Sequence, residues 1–257
     1  MKALERCGYR ISCWLSRPRP WHRPQSATVG EVWSCLLPGD VLLIEGSSRL
    51  STVIKYLTQS SWSHAALFVG SEAALRAGGH PGTAFVEADL AEGVRLVGYD
   101  EFSGYPLRIC RPVGLADNDI QQLIEHATQR VGHRYDLRNI FDLARYLMPL
   151  PPVPVPWRRG MLALGSGDPT RAICSTLLAE AFQFINYPIL PIEEWLRDEK
   201  RCAECRRRVF RRRHFSLFTP RDFDLSPYFQ IIKPGLGAGF DPHRLHWASS
   251  DGEGEVV

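Results

Sequence analysis

The chain has 257 residues, of which 44% are hydrophobic, and a formal net charge of +3. This length and apolar content suit one large globular domain with a packed core. No stretch approaches the roughly 18 consecutive apolar residues that span a bilayer, and the basic N-terminus lacks the apolar core and small-residue cleavage site of a signal peptide. We therefore expect a cytoplasmic protein that is neither membrane-spanning nor exported.

Charge is distributed unevenly along the chain. Residues 1–30 carry a net charge of +5 and residues 200–214 carry +7, which leaves −9 for the remainder. Two basic segments on an acidic body fit contact with an anionic surface, and they fit equally well two solvated, partly disordered charge runs. No nucleic-acid-binding motif accompanies the arginines, so no nucleic acid is expected. Under the first hypothesis the protein is peripheral at the inner face of the membrane.

The seven cysteines are odd in number and irregularly spaced, which favours a reducing compartment over a disulfide scaffold. Cys202 and Cys205 have the spacing of metal ligands, and His214 follows them. One such pair without a fourth ligand is weak evidence for zinc, so an incidental reduced pair is the better interpretation. No metal or organic cofactor is expected.

The chain divides into three parts. Residues 1–30 mix Arg, Pro and Trp without a sustained period and predict a loosely ordered basic arm. Residues 31–235 form the predicted domain, and residues 236–257 a flexible tail. The oligomeric state is left open.

The sequence of the first half of the domain predicts short strands and one helix. A helix follows the first strand, because Leu50, Ile54 and Leu57 recur at helical spacing behind the capping residues Ser47 and Ser48. Strands that follow one another at short intervals favour an antiparallel sheet. The predicted strands are 41–44, 64–69, 84–88, 94–97 and 107–110.

The second half predicts helices. One begins at Asp117, a second spans 137–146, and a third begins near Thr170 and ends before Pro188. Between them, the proline-rich, uncharged segment 148–157 is either a packed linker or an exposed apolar loop. The sequence as a whole therefore predicts an α+β fold in which a small antiparallel sheet or barrel packs against helices.

Cys174 falls in the first turn of the third helix. A helix N-terminus favours the thiolate, which is the nucleophilic form of cysteine. On periodicity alone, a lone helical cysteine is more often a small buried hydrophobic residue.

A second polar residue lies at the start of a strand. His64 follows a polar loop and opens an apolar strand, where a rigid backbone can hold an imidazole beside a thiol. Glu87 sits inside another apolar run, where a charge needs a buried partner, and it is the candidate to orient the imidazole. Asp89 is the alternative if the strand register differs by two residues.

Five segments together resemble the YiiX-type branch of the NlpC-like cysteine hydrolases. In that branch the papain-like fold is circularly permuted, so that histidine precedes cysteine in the chain, as in relatives of lecithin:retinol acyltransferase. The resemblance covers roughly residues 37–234. The segments are PGDVLLIEGSSRLSTVIKYLTQSSWSHAALFVG at 38–70, FVEADLAEGV at 85–94, VGHRYDLRNIFDLARYL at 131–147, AICSTLLAEAFQ at 172–183 and PRDFDLSPYFQIIKP at 220–234.

The resemblance implies a thiol-dependent hydrolase of amide or ester bonds, with Cys174 as nucleophile, His64 as general base and acid, and Glu87 as the orienting group. Exported NlpC-like peptidases commonly have Asp-Cys-Ser at the nucleophile, whereas this chain has Ile173-Cys174-Ser175, which argues against cell-wall peptide cleavage. The expected substrates are therefore a peptide, an amide or an acyl lipid. The alternatives are a lipid-directed acyltransferase or thioesterase, and a catalytically idle module that binds membrane surfaces.

Other matches to the family pattern have simpler explanations. Gly39-Asp40 and Tyr135-Asp136 are explained by turn formation and hydrogen bonding to the backbone. Trp62 and Tyr135 fit either a substrate cleft or core packing.

Overall fold

The computed structural model describes residues 13–14, 17, 29–133, 173–197, 206–234 and 243. Within these residues the chain has an α+β fold built on a six-stranded sheet in which every neighbouring pair is antiparallel. The strands of this sheet are β1 Val41–Ile44, β2 His64–Phe68, β3 Thr83–Asp89, β4 Gly93–Gly98, β5 Leu107–Pro112 and β8 Phe229–Ile232. Their spatial order is β4-β3-β2-β1-β5-β8.

The helices follow in chain order. The helix Arg49–Thr58 begins after Ser48, whose hydroxyl accepts a hydrogen bond from the backbone N–H of Ser51 at 3.0 Å, as the sequence predicted. The helix predicted from Asp117 is also present, and Asp119 accepts from the backbone N–H of Ala116 at its start. The helices are α1 Val29–Ser34, α2 Arg49–Thr58, α3 Ser71–Arg76, α4 Asp117–Thr128, α5 Ile173–Phe184 and α6 Pro220–Leu225.

The sheet buries both of its faces. On one face, α4 and α5 pack against each other and α5 packs on β2 and β3, enclosing Leu67, Val86 and Phe182. On the other face, an aromatic cluster fills the space beneath α1 and the 3₁₀ turn at 99–102. That cluster consists of Trp33, Phe68, Phe85, Tyr99 and Phe102. Such double-sided burial explains why β1 reads as an unbroken apolar run.

Several elements were not predicted from the sequence. α1 begins at Val29, inside the segment expected to be a loose arm, and α3 is a six-residue helix. β6 Ile192–Arg197 and β7 Arg206–Arg211 form a separate two-stranded antiparallel sheet, and β7 lies in the segment 200–214 that the sequence showed only as basic. The edge strand β8 was also missed.

Some predictions lie outside the described residues. These are the helix at 137–146, the proline-rich segment 148–157, the pair Tyr135-Asp136, Cys202 with Cys205, most of the arm and all of the tail except residue 243. None of the helices in the part of the chain that the structure describes is long and apolar enough to cross a membrane.

Candidate active site

His64 is the first residue of β2 and stands opposite Ile44 in the sheet. The loop before it is fixed by buried polar groups. The hydroxyl of Ser63, which is 2% exposed, accepts a hydrogen bond from the backbone N–H of Gly46 at 2.9 Å. The indole of Trp62 donates to Asp224 Oδ2 at 3.1 Å. These contacts hold the imidazole at a defined place at the start of β2.

Glu87 lies in the middle of β3 and its side chain is only 3% exposed. Its Oε2 atom is 2.6 Å from Nε2 of His64. Asp89, the alternative orienting residue, has a different role, since its Oδ1 accepts hydrogen bonds from the backbone N–H groups of Ala91 and Glu92 at 2.7 and 2.9 Å. The structure therefore places Glu87, and not Asp89, against the imidazole.

Cys174 lies in the first turn of α5 and is 4% exposed. Its thiol lies beside the imidazole of His64 and the backbone of Ala65, both of which oppose the effect of burial on its pKa. Because Nε2 of His64 is engaged with Glu87, Nδ1 is the ring nitrogen left for the thiol. The Ser175 hydroxyl lies 3.9 Å from the sulfur. Residues far apart in the chain thus meet where α5 begins beside the start of β2.

The electrostatics of this group favour charge separation. Burial alone would lower the pKa of His64, but Cys174 and Glu87 outweigh it and raise that pKa well above its ordinary value. Burial alone would raise the pKa of Cys174, but the imidazole and the hydrogen bonds bring it below its ordinary value. Burial likewise opposes ionisation of Glu87, whose pKa is nevertheless lowered by His64 and Arg95. All three shifts act in the direction of a thiolate beside an imidazolium.

Cys110 shows what burial does to a thiol in this protein without an adjacent imidazole. It is fully buried in β5, and burial together with the charge of Asp224 raises its pKa far above the ordinary value, while Arg108 only partly compensates. Cys110 is therefore held as an inert thiol, whereas at Cys174 the neighbours, His64 first among them, reverse the effect of burial.

Arg95 belongs to the site and was not found from the sequence. It stands directly opposite Glu87 across the β3–β4 hairpin, and its Nε donates to Glu87 Oε1 at 2.8 Å. The signal was present in the sequence, because alternation along strands 84–88 and 94–97 places residues 87 and 95 on one face as a cross-strand pair. The ring of Phe102 also lies near that of His64, with centroids 6.4 Å apart.

The other candidate residues have structural contacts. Asp40 is 1% exposed and accepts from the backbone N–H of Leu37 at 2.8 Å and from Nε and Nη2 of Arg111 at 2.9 and 2.7 Å. Trp62 is 8% exposed and packs in the core. Nδ1 of His214 lies 2.8 Å from the Ser216 hydroxyl. Among the residues described, no group of three or more His, Cys, Asp or Glu side chains could hold a metal ion.

Comparison with known proteins gives similarity to solved structures alone. No protein-family model and no curated protein matches the chain. The structure is similar to the crystal structure of the metalloprotein yiiX from Escherichia coli O157:H7, with a TM-score of 0.44 and 14% sequence identity, over 76% of this chain and 96% of that chain.

Proposed function

We propose that this protein is a thiol-dependent hydrolase with a circularly permuted papain-like fold that cleaves an amide or ester bond through an acyl-enzyme on Cys174. The observation that carries the proposal is that His64 lies between Glu87 and Cys174. Its Nε2 is held at 2.6 Å by the buried carboxylate of Glu87 while the same ring interacts with the Cys174 thiol. A nucleophile, a base and a group that orients the base are the elements of covalent acyl transfer.

The proposed reaction begins with the thiolate. Cys174 Sγ attacks the carbonyl carbon, an S–C bond forms, and the carbonyl π electrons move onto oxygen. The backbone N–H of Cys174 is the candidate donor to that oxyanion, since N–H groups in the first turn of a helix have no intrahelical acceptor. When the intermediate collapses, the C–N or C–O bond breaks and the leaving group takes the proton of the His64 imidazolium.

Deacylation regenerates the enzyme. His64, now neutral, accepts a proton from a water molecule that attacks the thioester carbon, and the C–S bond breaks to release the Cys174 thiolate and the acid. An alcohol or amine in place of water gives acyl transfer. Glu87 keeps the imidazole oriented and compensates its positive charge in both steps. Peptides, small amides and acyl lipids are the candidate acyl donors.

A direct test is turnover of matched amide, ester and thioester acyl donors. For any donor that the wild-type protein accepts, Cys174→Ala should reduce the turnover rate by at least about a thousandfold. Cys35→Ala is the matched control, because Cys35 is a partly buried free cysteine directly after α1. If no donor is turned over and Cys174 is no more reactive than Cys35, the hydrolase proposal fails and the idle binding module is the better hypothesis.

A further inference from the structure

The two carboxylate oxygens of Glu87 are divided between two cationic side chains. Oε2 faces Nε2 of His64 at 2.6 Å, while Oε1 accepts from Arg95 Nε at 2.8 Å and lies 2.6 Å from Arg95 Nη2. Charge-assisted bonds of this length are strong and directional. The carboxylate therefore cannot rotate away from His64 without giving up its bonds to Arg95.

Arg95 is itself fixed from its outer side. Nη1 lies 3.0 Å from Glu92 and Nη2 lies 2.7 Å from Glu101, and the charge of Asp89 adds to these contacts. The side chain of Arg95 is 27% exposed, whereas those of Glu92 and Glu101 are 59% and 45% exposed. Solvent screens the outer carboxylates far more than it screens the buried contact with Glu87. The inner contact is thus the one that acts on the site.

The charges of the site also need Arg95. In the reactive state, the Cys174 thiolate and the Glu87 carboxylate face the single positive charge of His64, with Ser175 and the Ala65 backbone as neutral neighbours. Those three groups sum to one negative charge in a largely buried place, which is costly. With Arg95 included, the formal charges of these four buried or partly buried groups sum to zero, and the exposed Glu92 and Glu101 are screened by solvent. Without it, the site can avoid the excess negative charge by keeping the proton on the thiol.

We propose that Arg95 is a positioning residue of this site, which fixes the Glu87 carboxylate against His64 and balances the charge that Cys174 carries as a thiolate. The assignment rests on the proposed function. It extends the site to a row of alternating charges that runs from Cys174 through His64 and Glu87 to Arg95.

The test measures the rate of iodoacetamide alkylation of Cys174 against pH, by peptide mapping, and so needs no substrate. Arg95→Met keeps the aliphatic stem and removes the charge. The midpoint of the pH profile should then rise by about 0.5 to 1 pH unit, because removal of a nearby positive charge raises the pKa of a thiol. At a pH below both midpoints, alkylation should slow by about three- to tenfold.

Two further variants distinguish positioning from structural support. Arg95→Lys restores the charge without the two-nitrogen contact, and its midpoint should lie between those of the wild type and Arg95→Met. Arg76→Met is the matched control, since Arg76 is exposed and pairs with the exposed Glu72; its midpoint should equal that of the wild type. Thermal unfolding of each variant shows whether it is folded. If Arg95→Met is not folded, the test is made with Arg95→Lys alone.

The outcomes separate this inference from the proposed function. An unshifted midpoint in folded Arg95→Met, or in Arg95→Lys if only that variant folds, overturns the role of Arg95 while Cys174 remains a reactive thiol. A wild-type Cys174 that alkylates no faster at neutral pH than an ordinary thiol overturns the proposed function itself, and the inference with it.

Discussion

Replacement of His64 should convert Cys174 from a reactive thiol into an inert one. Cys174 is 4% exposed, and burial by itself raises the pKa of a thiol, as it does at Cys110. The charge and hydrogen bond of His64 reverse that effect at Cys174. In His64→Ala we therefore expect the pKa of Cys174 to pass from below its ordinary value to above it.

The size of this effect follows from the loss of an adjacent positive charge. Such a charge typically changes the population of a thiolate by about ten- to a thousandfold, so the alkylation rate of Cys174 at pH 7 should fall by about a hundredfold. The assay is the rate of iodoacetamide labelling of Cys174 in folded protein. His64→Gln is the companion variant, because it retains a hydrogen-bonding group without the charge and should slow labelling by an intermediate factor.

The reasoning would be refuted by a labelling rate that changes less than about threefold in folded His64→Ala, since the thiolate would then owe nothing to the imidazole. Cys35 provides the internal reference, because it is free and partly buried in the same protein. Its rate should not depend on residue 64.

The other predictions concern pH, the orienting group, the scaffold and the surface. Turnover should rise with pH at a midpoint below 9.0, where the lowered pKa of Cys174 gives the thiolate, and fall at a midpoint above 6.5, where His64 with its raised pKa loses its proton; a pH-rate profile measures both. Glu87→Gln should reduce turnover less than His64→Ala does, whereas Asp89→Asn should leave it near wild type; wild-type turnover in Glu87→Ala would contradict the role of Glu87. Asp40→Asn should destabilise the fold by about 2–4 kcal/mol in urea unfolding, since it weakens the buried pair with Arg111, whereas the exposed Asp100→Asn should cost less than about 0.5 kcal/mol. Association with anionic vesicles should be weak, because Arg211, Arg212 and Arg213 already contact Glu194, Asn186 and Asp222. Salt should abolish it by screening the remaining attraction, and equal or absent binding to anionic and neutral vesicles at both low and high salt would contradict it.

The strands predicted at 41–44, 64–69, 84–88, 94–97 and 107–110 correspond to β1 to β5. The first three are almost fully buried, so their apolar composition is distinctive. By contrast, β7 is rich in arginine, and its position depends on pairing with β6, where Arg211 bonds Glu194 at 2.7 Å. Neither β6 nor β7 contains an apolar run of strand length, so the sequence showed only a basic segment there. α3 was missed because only Ala74 is buried in its six residues, too few to show a period.

The site was only partly predictable for a related reason. A lone cysteine at the start of a helix and a lone histidine at the start of a strand are each ambiguous, and their proximity in space depends on how α5 packs on β2. The family resemblance supplied that link. The choice between Glu87 and Asp89 depends on the register between β2 and β3, in which Leu67 stands opposite Val86 and Phe68 opposite Phe85. Arg95 was accessible from hairpin geometry alone, as the residue opposite a buried carboxylate.

The central claim is that Cys174 carries the acyl group during turnover. Rapid acid quenching of the protein with an accepted ester or thioester, followed by intact mass measurement and peptide mapping, tests it directly. The account predicts one acyl adduct per chain, located on Cys174 and absent from Cys174→Ser. Turnover that persists in Cys174→Ser, or an adduct located on another residue, would contradict it.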